Sequence, residues 1–152
     1  MNAVAFPDPA VIEFINNNLI PVRIPADDPE LGPRYKVKWT PTLLILDAEG
    51  VEHYRTLGFY PPEELIPSLL MGIGKVKFNE PDRHAACSCF EKILVDYPAS
   101  SLAPEAVYLN GVSRYIETRD VANLIGVYDQ LAAEYPESPW LTRADPYRLL
   151  KK

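Results

Sequence analysis

Several features that would assign a chain to a specialised class are scarce in this sequence. It contains only two cysteines in 152 residues, Cys87 and Cys89, too few for a disulfide framework. No apolar run approaches the roughly 18 residues of a membrane-spanning helix, and no charged segment leads into an apolar signal core. The sequence therefore predicts a cytoplasmic protein that does not enter a membrane.

Positive charge is also in short supply. The chain has 15 Lys and Arg against 21 Asp and Glu, for a net charge of -6, which argues against binding to a phosphate backbone and predicts no nucleic-acid partner. Hydrophobic residues make up 47% and charged residues 24%, so a folded domain is expected. Sixteen prolines against seven glycines indicate helix starts and turns rather than a flexible linker.

The sequence lacks the residue patterns of common catalytic and metal sites. Cys87 and Cys89 are two positions apart in a helical segment, where side chains do not face each other. His84 shares a helix face with Cys87, but the only other histidine, His53, lies in a different segment. The run Gly72–Lys75 lacks the residues of a phosphate loop. We therefore predict no catalytic residue, no metal and no cofactor.

The first half alternates helical and strand signals. Asp8-Pro9 predicts a helix start, and an apolar face continues to the three asparagines that end at residue 18. Residues 19–24 predict a short strand, and Asp28–Tyr35 predicts a single helical turn.

A strand, a turn, a second strand and a helix are expected next. The unbroken apolar run Thr42–Leu46 is typical of a strand covered on both faces. The turn 47–50 and the segment Val51–Leu57 complete a hairpin. Glu63–Met71 predicts a helix with acidic residues in its first turn.

The second half contains an internal repeat. Phe90-x6-Tyr97-Pro98-Ala99-Ser100 recurs 38 residues later as Tyr128-x6-Tyr135-Pro136-Glu137-Ser138. Such a period indicates stacked helix pairs. We expect helices over 81–96, 102–116 and 121–134, and a last helix from Trp140 that Pro146 kinks. The repeat predicts buried aromatic side chains at equivalent places, namely Phe90, Tyr97, Tyr128 and Tyr135, with Trp140 covering the second junction.

The motif Trp39-Thr40-Pro41-Thr42, followed by strand, turn, strand and helix, resembles the C-terminal portion of the thioredoxin fold. The run Gly58–Leu65 is similar to that family's entrance into its last helix. The resemblance implies a cis Thr40–Pro41 bond and a peptide-binding site at Trp39, Thr40 and Pro41.

Residues of the second half resemble tetratricopeptide repeats. Ala86, Phe90 and Pro98 fit the end of one repeat, and a following repeat is matched by Gly111, Tyr115, Tyr128 and Pro136. Leu124 stands where that family has alanine, and the spacing slips by one residue. The expected fold is therefore an α/β thioredoxin-like domain over 1–74, followed by an all-α tetratricopeptide-like region over 75–152.

The expected function is a non-catalytic protein- or peptide-binding module. Thioredoxins exchange disulfides through a Cys-x-x-Cys at the start of the first helix, after the first strand, and residues 1–74 contain no cysteine. The alternative is a thiol-disulfide oxidoreductase whose Cys-x-x-Cys lies upstream of Met1.

The resemblance also predicts a gap in the sheet. In the thioredoxin arrangement, a strand absent from this chain would lie between residues 19–24 and Thr42–Leu46. The two remaining strands would then face a gap of nearly 10 Å, because neighbouring strands are about 4.8 Å apart. We expect the chain to borrow a strand and form a homo-oligomer, or to have a marginally stable N-terminal half.

Overall fold

A long central helix, α3 (Pro62–Asn79), packs against the first helix, both strands and the helix that follows it. The structure, a computed structural model, describes residues 5–151, so the outer ends of the two predicted regions, 1–4 and 152, lie outside the described residues. The fold is mostly helical, with one two-stranded antiparallel sheet. The remaining elements are α1 (Pro9–Asn18), α2 (Leu31–Arg34), β1 (Thr42–Leu46), β2 (Glu52–Leu57), α4 (Arg83–Asp96), α5 (Ala103–Thr118), α6 (Ala122–Glu134), α7 (Pro139–Ala144) and a 3₁₀ helix (Asp145–Leu150).

Helix α3 is covered on opposite sides by different parts of the chain. All residues from Leu65 to Gly72 are buried, as expected for a helix that is apolar around its whole circumference. A methyl group added at Gly72 would lie 2.5 Å from Ile45 Cγ1 of β1. One added at Gly74 would lie 2.5 Å from Phe90 Cε1 of α4. These two glycines therefore let the sheet and α4 approach the helix from opposite faces.

Helix α1 begins at the residues that the sequence predicts. The Asp8 carboxylate accepts the N–H groups of Ala10 at 2.9 Å and Val11 at 3.2 Å, and Pro9 occupies the first helical position. Val11 is fully buried, and α1 packs against α3. The expected turn of helix between Asp28 and Tyr35 is also present, as α2.

The hairpin forms in the expected place, but only one of its faces is covered. Ile45 is buried, and Tyr54, opposite it on β2, lies against α3, where burial raises the pKa of its hydroxyl to about 12. Leu46 remains 36% exposed on the other face. The prediction of a strand buried on both sides was therefore wrong, because no further element among residues 5–151 packs on the outer face of β1.

The strand predicted at residues 19–24 does not form. These residues are followed by Pro25 and have no regular structure, and residues 20–24 are exposed throughout. A strand requires a neighbour with which to exchange backbone hydrogen bonds, and within residues 5–151 this segment has none. The apolar pattern is present, but the partner is absent from the described chain.

The two copies of the 38-residue sequence repeat form the same turn between consecutive helices. Tyr97 ends α4 with φ -136° and ψ 50°, and Tyr135 ends α6 with φ -137° and ψ 56°. In both copies the serine N–H donates to the tyrosine C=O, at 2.9 Å for Ser100 and 3.0 Å for Ser138. Each serine hydroxyl then accepts the N–H two residues later, at 3.1 Å and 3.2 Å. The shared motif therefore makes the same helix-to-helix turn twice.

The aromatic side chains of the repeat are less equivalent than expected. Phe90 is fully buried, whereas Tyr97, Tyr128, Tyr135 and Trp140 are half-buried. The hydroxyl of Tyr135 donates to the C=O of Pro98 at 3.0 Å, which keeps that ring near the surface. A tyrosine needs a partner for its hydroxyl, so it stays at the edge of the core where phenylalanine enters it.

Polar contacts connect the N-terminal region to the helical region. The Glu64 carboxylate of α3 accepts the Ser100 hydroxyl, the Ser101 N–H and the Ser101 hydroxyl, at 3.0 to 3.1 Å. Lys75 pairs with Glu105 of α5 at 2.7 Å and lies 4.7 Å from the centre of the Tyr54 ring. The expected boundary at residues 74 and 75 falls inside α3, so both regions share this helix.

We expect Phe90→Ala to lower the free energy of unfolding by about 3–5 kcal/mol, because it empties a fully buried site against Gly74. Urea unfolding followed by circular dichroism measures the change. Val95→Ala is the matched control, since Val95 lies on the same helix but is 76% exposed. A loss below about 1 kcal/mol for Phe90→Ala would contradict the packing described.

Hydrogen bonds of His53 connect the turn of the hairpin to the C-terminal end of α3. Its Nε2–H donates to the Asp47 carboxylate at 2.7 Å, and its Nδ1 accepts the side-chain N–H of Asn79 at 2.7 Å. Asp47 also accepts the N–H groups of Val51 and Glu49. These hydrogen bonds, that from His53 above all, lower the pKa of the Asp47 carboxyl.

This lowered pKa predicts a loss of stability in acid. Below a pH of about 4 the unfolded chain takes up a proton at Asp47 before the folded chain does, so the contribution of the carboxylate falls as pH falls. We expect Asp47→Asn to destabilise the chain at pH 7, and the difference from wild type to shrink at pH 3, measured by urea unfolding. Asp27→Asn is the control at an exposed aspartate. An unchanged difference at the two pH values would contradict the assignment.

Candidate functional site

The sequence-predicted residues lie together at the open end of the hairpin. The Thr40–Pro41 bond is cis, which confirms that prediction. The Gly58 N–H donates to the Pro41 C=O at 2.9 Å, and the Thr42 hydroxyl donates to the Trp39 C=O at 2.5 Å. These bonds hold Trp39, Thr40 and Pro41 as a short, exposed lead into β1.

Two further apolar side chains extend this surface. Leu57 is 54% exposed and Phe59 is 56% exposed, while Trp39 is 74% exposed. Leu57 pairs with Thr42, and the bond from Gly58 to Pro41 places Phe59 beside the same end of the hairpin. The sequence pattern places Phe59 in the entrance to α3 and does not predict it as a site residue. Its signal was an aromatic residue outside the apolar pattern of that helix.

The outer edge of β1 has unpaired backbone groups. In an antiparallel pair, hydrogen-bonded and non-bonded residue pairs alternate, and the bond between Gly58 and Pro41 sets the phase. Leu43 and Ile45 therefore bond to β2, whereas the N–H and C=O groups of Thr42 and Leu44 point away from it. Within the described part of the chain, neither backbone nor side-chain groups bond to these outward groups.

The two strands of the hairpin differ in charge. β2 has Glu52 and Arg55, whose side chains pair at 2.7 Å, and Arg55 also donates to the Tyr35 C=O. β1 has no charged side chain. Charges on an edge strand discourage the addition of another strand, so β1 is the less protected edge. We call the outward groups of Thr42 and Leu44, with Trp39, Leu57 and Phe59, the β1 edge site.

Large exposed apolar side chains are concentrated in the N-terminal region. The exposed set from this region comprises Ile12, Ile20, Val22, Ile24, Trp39, Leu46, Val51, Leu57 and Phe59, and the rest of the described chain adds Val95, Val121, Leu149 and Leu150. Exposed apolar side chains that are grouped, as Trp39, Leu57 and Phe59 are at the open end of the hairpin, mark interaction surfaces. The helical region buries its apolar side chains more completely.

The two cysteines have the environment of structural thiols. Cys87 is buried against α5, with its sulfur 3.9 Å from the Asn110 carbonyl oxygen, and Cys89 is half-buried. Burial raises the pKa of both thiols, the opposite of what a reactive cysteine requires. No group of three His, Cys, Asp or Glu side chains within residues 5–151 is arranged to hold a metal. Across the same residues, no helix has both the length and the apolar character needed to cross a bilayer.

Comparisons with protein-family profiles, with curated proteins and with solved structures found no match to this chain.

We expect both cysteines to react with Ellman's reagent at least about tenfold more slowly than an unstructured cysteine peptide at pH 7, because burial disfavours the thiolate. Absorbance at neutral pH measures the rates, and unfolding in guanidinium chloride should restore both. Cys87→Ser and Cys89→Ser separate the two thiols. A fast-reacting thiol in the folded chain would show that one of them is activated.

Proposed function

We propose that this chain binds an extended polypeptide along the β1 edge site and does not catalyse a reaction on it. The observation that carries this proposal is the unpaired edge of β1 beside the exposed side chains of Trp39, Leu57 and Phe59. An extended peptide that adds to a sheet edge gains backbone hydrogen bonds from the strand, and it gains specificity from alternate side chains.

The chemistry of the site defines the ligand. Outward groups at Thr42 and Leu44 are two residues apart, which matches the repeat of a peptide that bonds through every second residue. The neighbouring side chains are apolar or aromatic, and β1 has no charge to pair with an ionic ligand. The ligand is therefore a segment of about four to six residues with apolar side chains at alternate positions.

The order of the elements supports this proposal. A helix, a hairpin preceded by Trp39-Thr40-Pro41 and a helix follow the order expected from the thioredoxin-like resemblance, in which this segment lies beside the binding face. The repeated Tyr-Pro-x-Ser joint supports a tetratricopeptide-like interpretation of the helices after α3. In this proposal the helical region packs against α3, and α3 packs against the inner face of the hairpin.

The test uses a phage-displayed library of random peptides panned against the intact chain, followed by fluorescence anisotropy with synthetic peptides. We expect selected peptides to alternate apolar and polar residues and to bind with a Kd on the order of 10 μM. Trp39→Ala should weaken binding about tenfold, because it removes the largest exposed side chain of the site.

A backbone variant distinguishes edge binding from binding to a merely apolar surface. Leu44→Pro removes an N–H that points away from β2, so the hairpin ladder is kept while the edge loses a donor. We expect it to abolish binding, whereas Leu44→Ala, which keeps the N–H, should retain most of it. Val95→Ala is the control for an exposed apolar residue elsewhere. Peptides that bind Leu44→Pro as well as wild type would contradict the proposal.

A further inference from the structure

The segment Leu19–Ile24 has a backbone that can pair on one side only. In an extended strand, successive residues direct their N–H and C=O groups to alternate edges. Ile20, Val22 and Ile24 therefore offer a full set of donors and acceptors to one edge. The other edge belongs to Pro21, Arg23 and Pro25, and the two prolines have no N–H to donate. Such a segment suits the outermost strand of a sheet.

The side chains of this segment have the same alternation and are not covered. Ile20 is 93% exposed, Val22 is 75% exposed and Ile24 is 41% exposed. Among the described residues, no backbone group bonds to any of the three. The chain thus has a strand-forming segment with one usable edge and, elsewhere, a strand with one unpaired edge.

The two elements do not pair within one chain. Helix α2, which follows the segment, is held near β2 and the hairpin turn. The Tyr35 hydroxyl donates to the Gly50 C=O at 3.0 Å, and Arg55 donates to the Tyr35 C=O. These contacts hold α2 against the hairpin turn and β2. Within residues 5–151, no backbone hydrogen bond joins the segment to β1, so the two remain separate in the single chain.

We propose that a second copy of this chain occupies the β1 edge site, with Leu19–Ile24 of each protomer adding to β1 of the other. This inference deepens the proposed function, on which it rests, by naming the occupant of that edge. The exchange is reciprocal, so the two protomers are related by a two-fold axis. In each protomer, both the pairing edge of Leu19–Ile24 and the outer edge of β1 then have a partner strand. The exchange adds an antiparallel or parallel third strand to each sheet.

The exposed apolar area is sufficient for a dimer of moderate stability. Seven exposed side chains contribute, three in the segment and four at the hairpin: Ile20, Val22, Ile24, Trp39, Leu46, Leu57 and Phe59. At roughly 150 Å² for each fully exposed side chain, complete burial of their exposed fractions in two protomers would remove at most about 1,300 Å² from water. This lies at the lower end of the range of about 1,200–2,000 Å² for stable interfaces. A concentration-dependent equilibrium between monomer and dimer is therefore expected.

Sedimentation velocity of the full chain from about 1 to about 100 μM tests the proposal, a range that brackets micromolar association. We expect wild type to pass from monomer to dimer across this range. Val22→Pro removes an N–H from the pairing edge and should weaken the dimer at least tenfold. Arg23→Pro places the same residue on the edge that proline already blocks, so it should dimerise like wild type. Both positions are exposed, so neither variant disturbs the core.

Mixing two defective variants tests the exchange directly. Val22→Pro keeps an intact β1 edge, but its segment Leu19–Ile24 adds poorly to the sheet of another chain. Leu44→Pro keeps an intact segment, but its β1 edge cannot accept a strand from another chain. Each alone should dimerise at least tenfold more weakly than wild type, whereas the mixture restores one of the two exchanges and should give heterodimer by fluorescence energy transfer at about 200 μM, a concentration suited to weak association. A lost fold in either variant could not produce this recovery.

The outcomes separate this inference from the proposed function. Equal dimerisation of Val22→Pro and Arg23→Pro, or a monomeric wild type, would overturn strand exchange between copies. Library peptides that still bind Val22→Pro and still fail to bind Leu44→Pro would then leave the β1 edge as a site for a different protein. If strand exchange is correct, Val22→Pro should bind those peptides more tightly than wild type, because no second copy competes for the edge.

Discussion

The close approach of two different elements to opposite faces of α3 is the contact on which the rest of the structure depends. Gly72 allows Ile45 and Tyr54 of the hairpin to rest on the helix backbone, and Gly74 allows the Phe90 ring of α4 to do so. Side chains at either position would hold the layers apart and leave space unfilled, which packed interiors do not tolerate. The hairpin is therefore supported by a helix whose far side is supported by α4.

This arrangement explains why the hairpin can persist with only two strands. An isolated two-stranded hairpin is marginal in water unless one face packs against another element. Here the inner face packs on α3, and the turn is fastened to Asn79 through His53. Among residues 5–151, the hairpin therefore keeps its place without a third strand at the outer edge of β1.

Features that depend on neighbouring residues were predictable from the sequence, and features that depend on distant partners were not. The cap at Asp8, the hairpin and the two Tyr-Pro-x-Ser joints are local, and each formed where expected. Residues 19–24 have the composition of a strand, but a strand exists only with a partner. The same difference applies to the candidate site. Trp39 and Pro41 were found in a contiguous motif, whereas Leu57 joined them only through its pairing with Thr42.

Helix α3 is longer than the sequence predicts, because the expected apolar pattern ends at Met71, before the two glycines. Residues 63–71 show the expected apolar pattern, but the helix continues to Asn79. Glycine weakens an isolated helix, and its packing advantage appears only when Ile45 and Phe90 are in place. The expected boundary at residues 74 and 75 lies within this longer helix.

A shared helix also has a consequence for the order of events during synthesis. The N-terminal elements leave the ribosome first, yet α3 keeps one apolar face uncovered until Phe90 and the rest of α4 have emerged. At about 5–20 residues per second, the stretch from the end of α3 to the end of α4 takes roughly 1–3 s to translate. During that interval the nascent chain exposes both the far side of α3 and the apolar segment around Val22, and transiently exposed apolar surface of this kind promotes aggregation.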